Sequence, residues 1–294
     1  MKIILILLII IVSFSLILYM YCHFENRKFR VTEYNIFTDK IEKDMTLCVI
    51  SDLHNYSYGD DNSRLMLEID KMKPDMVVSA GDMIEAGVCA KGSAKTVDFL
   101  AALQKKYPFF YGIGNHETML YNEEPHKYDK VRKEYFDAIK KYAENGVDIA
   151  PLRDDCLELL DYNINLISLD VETKYFRKFK LREFDKDYIE KKVGRINTER
   201  FNIMVGHDPH QIKAYAAAGA DLVLSGHVHG GMIALPNGRG LVSTLFTPFP
   251  PYYAGIYREN NTVMIVSRGI GNHSVHVRIN NRAEILKVNL IRED

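Results

Sequence analysis

The stretch Leu224-Ser225-Gly226-His227-Val228-His229-Gly230-Gly231 decides how the rest of this chain is read. The apolar run 222–224 stops at Ser-Gly, the pattern of a buried strand ending at its carboxyl edge. In open α/β sheets ligands gather at that edge. Two histidines then sit two residues apart inside a glycine-rich turn, and imidazole is the commonest metal-binding side chain. Flanking glycines let the backbone turn sharply and leave room for a ligand. Hydrogen-bonded loop histidines would explain the same letters, so the other strand ends must decide.

The chain has 294 residues, enough for one large domain or two small ones. Its 47% hydrophobic content supplies a core, and its 26% charged content is ordinary for a globular protein. A net charge of −1 gives no general affinity for nucleic acid or an anionic surface. Cysteines at 22, 48, 89 and 156 form no C-x-x-C pair, which argues against a disulfide framework and a structural zinc site. Cys48 falls in an apolar strand pattern and reads as a small buried thiol.

Residues 3–21 are apolar apart from Ser13 and Ser15. A helix of ~20 such residues covers the ~30 Å hydrocarbon layer of a bilayer. The run ends Tyr19-Met20-Tyr21-Cys22, with no small-residue cleavage pattern and no twin arginine. Residues 1–24 therefore read as an uncleaved single-span anchor rather than a signal peptide. Lys2 lies on one side of the run, and Arg27, Lys28 and Arg30 on the other. That balance leans towards a cytoplasmic domain after the anchor. Three unpaired cysteines outside the anchor lean the same way.

Behind the anchor, the juxtamembrane segment 25–44 contains an edge strand at 29–37, and the main domain is expected over 45–294. Buried strands are expected at 45–50, 76–79, 109–111, 201–205 and 222–224, and helices at 62–72, 93–106, 126–144 and 211–218. A hairpin is expected at 156–160 and 164–169, and a surface insertion carrying a helix at 172–200. The tail reads as strands at 232–235, 252–257, 262–267, 275–279 and 285–290. Strands alternating with helices imply an α/β fold with a parallel core sheet and helices outside.

Five of these strand patterns end in metal-competent side chains: Asp52 and His54; Asp82; Asn115 and His116; His207; His227 and His229. Parallel strands bring their carboxyl ends together on one edge of a sheet. Carboxylate, amide oxygen and imidazole without thiolate suit Mn, Fe or Zn. Eight side chains are too many for one ion and about right for two, with Asp82, isolated in its own turn, as the natural bridging carboxylate. Gly271-Asn272-His273 repeats the letters of Gly114-Asn115-His116, but it lies outside the strand series and reads as a turn near the rim. Asp170 reads as turn-forming, His210 as helix-start chemistry and His126 as helix surface.

The succession Ser51-Asp52-Leu53-His54, Ala80-Gly81-Asp82, Gly114-Asn115-His116-Glu117, Val205-Gly206-His207-Asp208-Pro209 and Ser225-Gly226-His227-Val228-His229-Gly230-Gly231 resembles the calcineurin-like metallophosphoesterases. The likeness runs from about residue 45 to residue 290. It implies a metallophosphoesterase-type β-sandwich flanked by helices, in αββα layers. It implies Asp52, His54 and His229 on a first metal, Asp82 bridging, and Asn115, His207 and His227 on a second. Val228 would turn away between histidines that address neighbouring ions along an extended chain. By the same resemblance His116 is a non-ligand that contacts phosphate or protonates a leaving group, oriented by Glu117.

The tail stretches YYAGIY, VSRGIG and VRINNRAEI resemble the bacterial membrane-anchored subgroup. Some members of that subgroup are similar to hydrolases that cleave the pyrophosphate of UDP-2,3-diacylglucosamine. The implied activity is hydrolysis of a phosphoester or pyrophosphate bond, on a substrate that can be lipid-linked, by a hydroxide activated between two divalent ions. A membrane-tethered scaffold that kept the fold and lost the chemistry is the rival reading. That route erases ligands first, and none of the expected residues is missing here.

Overall fold

Short buried strands with alternating inward and outward side chains set the layers of this protein. The computed structural model describes residues 2–87, 90–121, 128–176, 182–243, 247–272 and 277–294. The order opens with helix α1 (Lys2–Glu25), then β1 (Phe29–Thr38), β2 (Met45–Ile50), α2 (Ser63–Met72), β3 (Met76–Ala80), α3 (Ser93–Lys106) and β4 (Phe109–Gly112). It continues with α4 (Asn115–Tyr121), α5 (Asp129–Ala143), β5 (Asp155–Leu159), β6 (Ile164–Ser168), α6 (Lys186–Val193), β7 (Phe201–Val205), α7 (Ile212–Ala217) and β8 (Leu222–Ser225). The tail holds β9 (Ile233–Ala234), β10 (Gly240–Val242), β11 (Gly255–Glu259), β12 (Thr262–Val266) and β13 (Ala283–Arg292).

Two large sheets result. One has five strands in the order β1-β13-β2-β3-β4, and the other has six in the order β11-β12-β8-β7-β6-β5. β2, β3 and β4 run parallel, as do β6, β7, β8 and β12. Leu47, Val49, Val78 and Phe110 of the first sheet pack against Leu166, Ile203, Leu224 and Ile265 of the second. Because side chains alternate along a strand, Cys48, Ile50 and Val77 face the other way, onto Leu65 and Ile69 of α2 and Leu100 of α3. On the far side Met204, Val223 and Met264 meet Ile189 of α6 and Ile212 and Tyr215 of α7. The layers are thus helix, sheet, sheet, helix. This is the αββα sandwich that the resemblance implied; the strand pattern taken alone placed the tips on one sheet edge, and they are divided between two sheets because the inward residues of β2–β4 and of β7–β8 bury each other.

Several local readings change in three dimensions. The glycine turn after β4 leads directly into α4, so Asn115 and His116 start a short helix that periodicity over seven residues could not reveal. The helix expected at 126–144 is observed as α5, and His126 lies outside the described residues. The strand expected at 252–257 begins only at Gly255, after Pro250 and Pro251, which cannot donate to a ladder. The expected strand 232–235 shrinks to β9, whose partner β10 the pattern had not shown. The strand expected at 275–279 lies partly outside the described residues, and Ile279 makes an isolated bridge to Ile233.

Among the described residues one helix, α1, is long and apolar enough to cross a membrane. Its side chains are exposed except for half-buried Leu18 and buried Cys22 and Glu25 towards its carboxyl end. Cys22, Cys48 and Cys156 are free thiols. Leu224 is fully buried between the sheets. Leu224→Ala should therefore cost about 2–5 kcal/mol through lost burial and the cavity left behind, read by urea unfolding of the full chain in detergent. A loss well under 1 kcal/mol would mean that the two sheets do not form a shared packed core.

Candidate metal centre

Three of the five strand tips, those of β2, β3 and β8, end in a backbone turn of uncommon conformation. Asp52, His54, Asp82, His227 and His229 have φ of 52°, 48°, 54°, 70° and 51°. Left-handed backbone is rare without glycine, and Asp and His are among the side chains that tolerate it. The turns hold one another. The Asp52 N–H donates to Gly81 O at 2.9 Å and the His54 N–H to Asp82 O at 3.1 Å. The His227 N–H donates to Asp52 Oδ1 at 2.8 Å, and the His116 N–H to Asp82 Oδ1 at 2.7 Å. Gly226 and Gly269 close over Asp52: a Cβ at Gly226 would collide with Asp52 Oδ2, and one at Gly269 would lie 2.7 Å from the Asp52 Cβ.

These turns converge their side chains. Three groups of potential ligand atoms each lie within 4.8 Å of one another: Asp52, His54 and His229; Asp82, His207 and His227; and His54, Asp82 and His116. Asp82 belongs to two of the three. The Nε2 atoms of His54 and His229 are 3.0 Å apart, and His207 Nε2 lies 3.1 Å from Asp82 Oδ2. One terminus of the Asn115 amide lies 2.8 Å from His227 Nδ1 and 3.3 Å from Asp82 Oδ2. With nitrogen there it donates to both; with oxygen there, three acceptors face one point, an arrangement that a cation relieves. This donor set fits divalent metal.

The far side of two of these imidazoles, His207 and His54, is also held, as metal-binding histidines require. His207 Nδ1 donates to Ala80 O at 2.7 Å. His54 Nδ1 lies 2.8 Å from Glu85 Oε2. In both cases Nε2 faces the cluster. His116 differs: its Nδ1 accepts the Ala86 N–H at 2.9 Å, so in the neutral ring Nε2 carries the proton, 4.0 Å from Asp82 Oδ2. The expected orienting role of Glu117 is not the arrangement found. Glu117 instead accepts the N–H groups of Asp82 at 2.8 Å, Gly114 at 3.1 Å and Ile84 at 3.1 Å, and the Tyr111 hydroxyl at 2.9 Å. It braces the two ligand turns, and Ala86 fixes the His116 ring.

Burial and charge oppose each other over most of this cluster. Burial would raise the Asp82 carboxyl, but His207 and His116 outweigh it and hold that carboxyl well below the usual range. Burial would lower His207, yet the Asp82 carboxylate carries it up to about 10. His227, dominated by burial, falls to about 3 and is neutral at any ordinary pH. His116 is also lowered by burial, against the pull of Asp82. Burial raises Asp52, and it raises Glu117 with help from the Asp82 charge.

Sequence reasoning missed several supports. Glu85 stands three residues after Asp82, a spacing whose meaning depends on how the turn folds back. Asn281 donates to His229 O at 2.7 Å and to Gly231 O at 2.5 Å. Buried Arg278 donates to Arg268 O at 2.9 Å and Gly271 O at 2.6 Å, and the Gly271 N–H donates to Asp52 O at 2.7 Å. Both residues lie in VRINNRAEI, which carried a resemblance but no visible chemistry. His273 lies outside the described residues. Asp170 is more than turn-forming: it accepts the Thr118 hydroxyl of α4 at 2.5 Å and Arg153 Nε at 2.7 Å. His210 closes the Asp208 cap, Nδ1 to Oδ1 at 2.8 Å. The segment bearing His227 and His229 is not extended, as both φ values show, so curvature rather than alternation separates the two rings.

Residues 45–231 match the Calcineurin-like phosphoesterase family, and the chain belongs to it. An uncharacterized metallophosphoesterase of Helicobacter pylori is 27% identical over 271 residues, covering 89% of this chain and 64% of that protein. The chain thus spans less than two thirds of that relative's length. An uncharacterized metallophosphoesterase of Aquifex aeolicus is 27% identical over 230 residues, covering 74% of this chain and 77% of its own. A zebrafish (Danio rerio) transmembrane protein with metallophosphoesterase domain is 25% identical over 270 residues, covering 88% of this chain and 56% of its own.

Metal binding at His207 would displace the proton that Asp82 holds on that ring. Apparent metal Kd should therefore fall about tenfold per pH unit between pH 6 and 8 for each proton released, measured by titration calorimetry in buffers of different ionisation enthalpy. The metal-free protein should behave oppositely. His207 is raised from 6.5 to about 10, so its contribution is complete below the unfolded value and is lost as pH rises towards 10. A metal affinity independent of pH would exclude this coupling.

Proposed function

We propose that this chain is a membrane-anchored hydrolase of phosphoester or pyrophosphate bonds that works with two divalent ions. The observation that carries it is Asp82, a buried carboxylate belonging both to the His207–His227 group and to the His54–His116 group. Asp52, His54 and His229 would hold one ion, Asn115, His207 and His227 the other, and Asp82 would bridge. Such a pair supplies Lewis acidity at phosphorus and a nucleophile from water at neutral pH. Mn, Fe and Zn all suit this set of nitrogen and oxygen donors.

The protein's own groups then do three things. The interlocked left-handed turns hold the donors in place, so no reorganisation accompanies the reaction. Glu117 locks the Asp82 and Gly114 backbones together. His116 presents Nε2–H to a phosphoryl oxygen. The Ala86 N–H at Nδ1 and the burial of the ring keep it neutral, which supports hydrogen bonding to the phosphate over outright proton donation. Residues 1–24 form the anchor and residues 45–294 the hydrolase domain in this reading. The free thiols and the Arg27-Lys28 pair favour the cytoplasmic side.

The test is hydrolysis of bis-p-nitrophenyl phosphate by the full chain in detergent, loaded with Mn. Asp82→Asn should abolish turnover and lower the bound metal. His116→Ala should keep its metal and lose roughly 10²–10³ in kcat, the effect of removing one transition-state donor. Full activity in Asp82→Asn would end the bridged two-ion reading, and absence of turnover on any phosphoester with metal bound would favour the scaffold.

A further inference from the structure

The carboxyl end of α1 is not a loose tether. Its Cys22 and Glu25 are the helix residues buried by the domain. The Cys22 thiol reaches Arg278 O at 3.9 Å. The Glu25 carboxylate takes Arg282 Nε at 2.6 Å and Lys28 Nζ at 3.4 Å. Arg64 Nη1 of α2 donates to Arg27 O at 3.2 Å, just past the helix. The helix is thereby clamped where its apolar run gives way to charge.

A cleft of about 370 Å³ opens at this junction. Tyr19, His23 and Arg27 wall it on the side of the helix end, and Tyr56 and Asn272 on the side of the domain. Both domain residues belong to the loops of the metal centre. The Tyr56 N–H donates to Leu53 O at 2.9 Å, next to His54. Asn272 follows Gly271, whose N–H donates to Asp52 O. The cleft therefore lies against the outer side of the turns that carry Asp52 and His54.

The chemistry of the walls is specific. A guanidinium, an imidazole, a thiol, two phenols and two side-chain amides surround the space, and the acid beside them, Glu25, is already paired with Arg282 and Lys28. Burial raises the Tyr56 hydroxyl against the opposing charges of Arg27 and Arg64, so the phenol keeps its proton and can donate it in a hydrogen bond. Cationic and neutral donors, with no unpaired acid among the described lining residues, suit phosphate. Beyond the cleft the apolar side chains of α1, such as Leu16 and Ile17, are exposed, which suits acyl chains, and Tyr19 stands where interfacial aromatics stand in spanning helices.

We propose that this cleft seats the phosphate headgroup of an anionic lipid from the leaflet at the carboxyl end of α1, with Arg27 as its charge partner. It rests on α1 spanning the membrane. The lipid lies against the helix while its headgroup touches the loop that leads to His54.

The full chain is reconstituted in phosphatidylcholine nanodiscs doped with photoreactive phosphatidic acid. Labelled peptides are then mapped by mass spectrometry. Labelling should concentrate on residues 19–27 and on Tyr56. It should exceed that from a photoreactive phosphatidylcholine, and inorganic phosphate should not compete it away. Arg27→Gln should reduce it about tenfold, as loss of one charge-assisted contact implies. Tyr56→Phe, which preserves packing, should reduce it by a smaller factor, and Lys141→Gln on α5 should leave it unchanged. Equal labelling by the zwitterionic probe, insensitivity to both cleft variants, or displacement by inorganic phosphate would overturn the proposal. Extraction of the protein from membranes by alkaline carbonate would overturn the spanning reading instead, which separates the two failures.

Discussion

A buried carboxylate is tolerated only when its charge is answered from several sides, and Asp82 is answered by most of the fold. Its Oδ1 accepts the His116 N–H, its own N–H goes to Glu117, and its Oδ2 lies within 4.0 Å of the Nε2 atoms of His207, His54 and His116. These partners come from the tips of β2, β4 and β7, so the geometry at one oxygen ties together segments separated by more than a hundred residues. Displacing any one of those tips would leave part of the charge unanswered. The left-handed turns at Asp52, Asp82 and His229 persist for the same reason: the neighbouring turns over-determine them.

The sandwich architecture supplies the angle from which such a cluster can be built. The five-stranded sheet delivers Asp52, His54, Asp82, Asn115 and His116, and the six-stranded sheet delivers His207, His227 and His229. Facing sheets close their parallel strands at a common end, and the inter-sheet core of Val49, Val78, Val205 and Leu224 sets the spacing there. The glycines at the same level reflect close approach rather than flexibility. Gly226 and Gly269 meet Asp52 from two directions, and a side chain at either would push the carboxylate out of line.

The described residues of the carboxyl-terminal segment and of α1 brace the candidate centre and belong to none of its three donor groups. Asn281 satisfies the carbonyls of His229 and Gly231, while Arg278 gathers those of Arg268, Gly269 and Gly271. Buried carbonyls in a tight loop need such partners, and long side chains from a distant strand end can reach them. Arg278 O in turn receives the Cys22 thiol. One hydrogen-bonded run thus links the helix end to the turn of Asp52, which explains why a helix with exposed apolar faces has a buried carboxyl end.

The sequence by itself determined most of the elements, the order of the strand tips and the identity of the candidate donor residues. Apolar runs that stop at Gly, Asp and His are local signals, and five of them in succession leave little freedom for where the chemistry lies. The long apolar run of α1 was legible for the same reason, since length and composition decide whether a helix can cross a bilayer. Only the tertiary structure decided which tip belongs to which sheet, that Glu117 braces backbones while Ala86 fixes His116, and that Glu85, Arg278 and Asn281 support the candidate site. Each of these depends on which groups meet across folded turns. A carboxylate at a given position can reach a ring, a backbone N–H or water, and its choice is made by distances of a few ångströms that no linear pattern encodes.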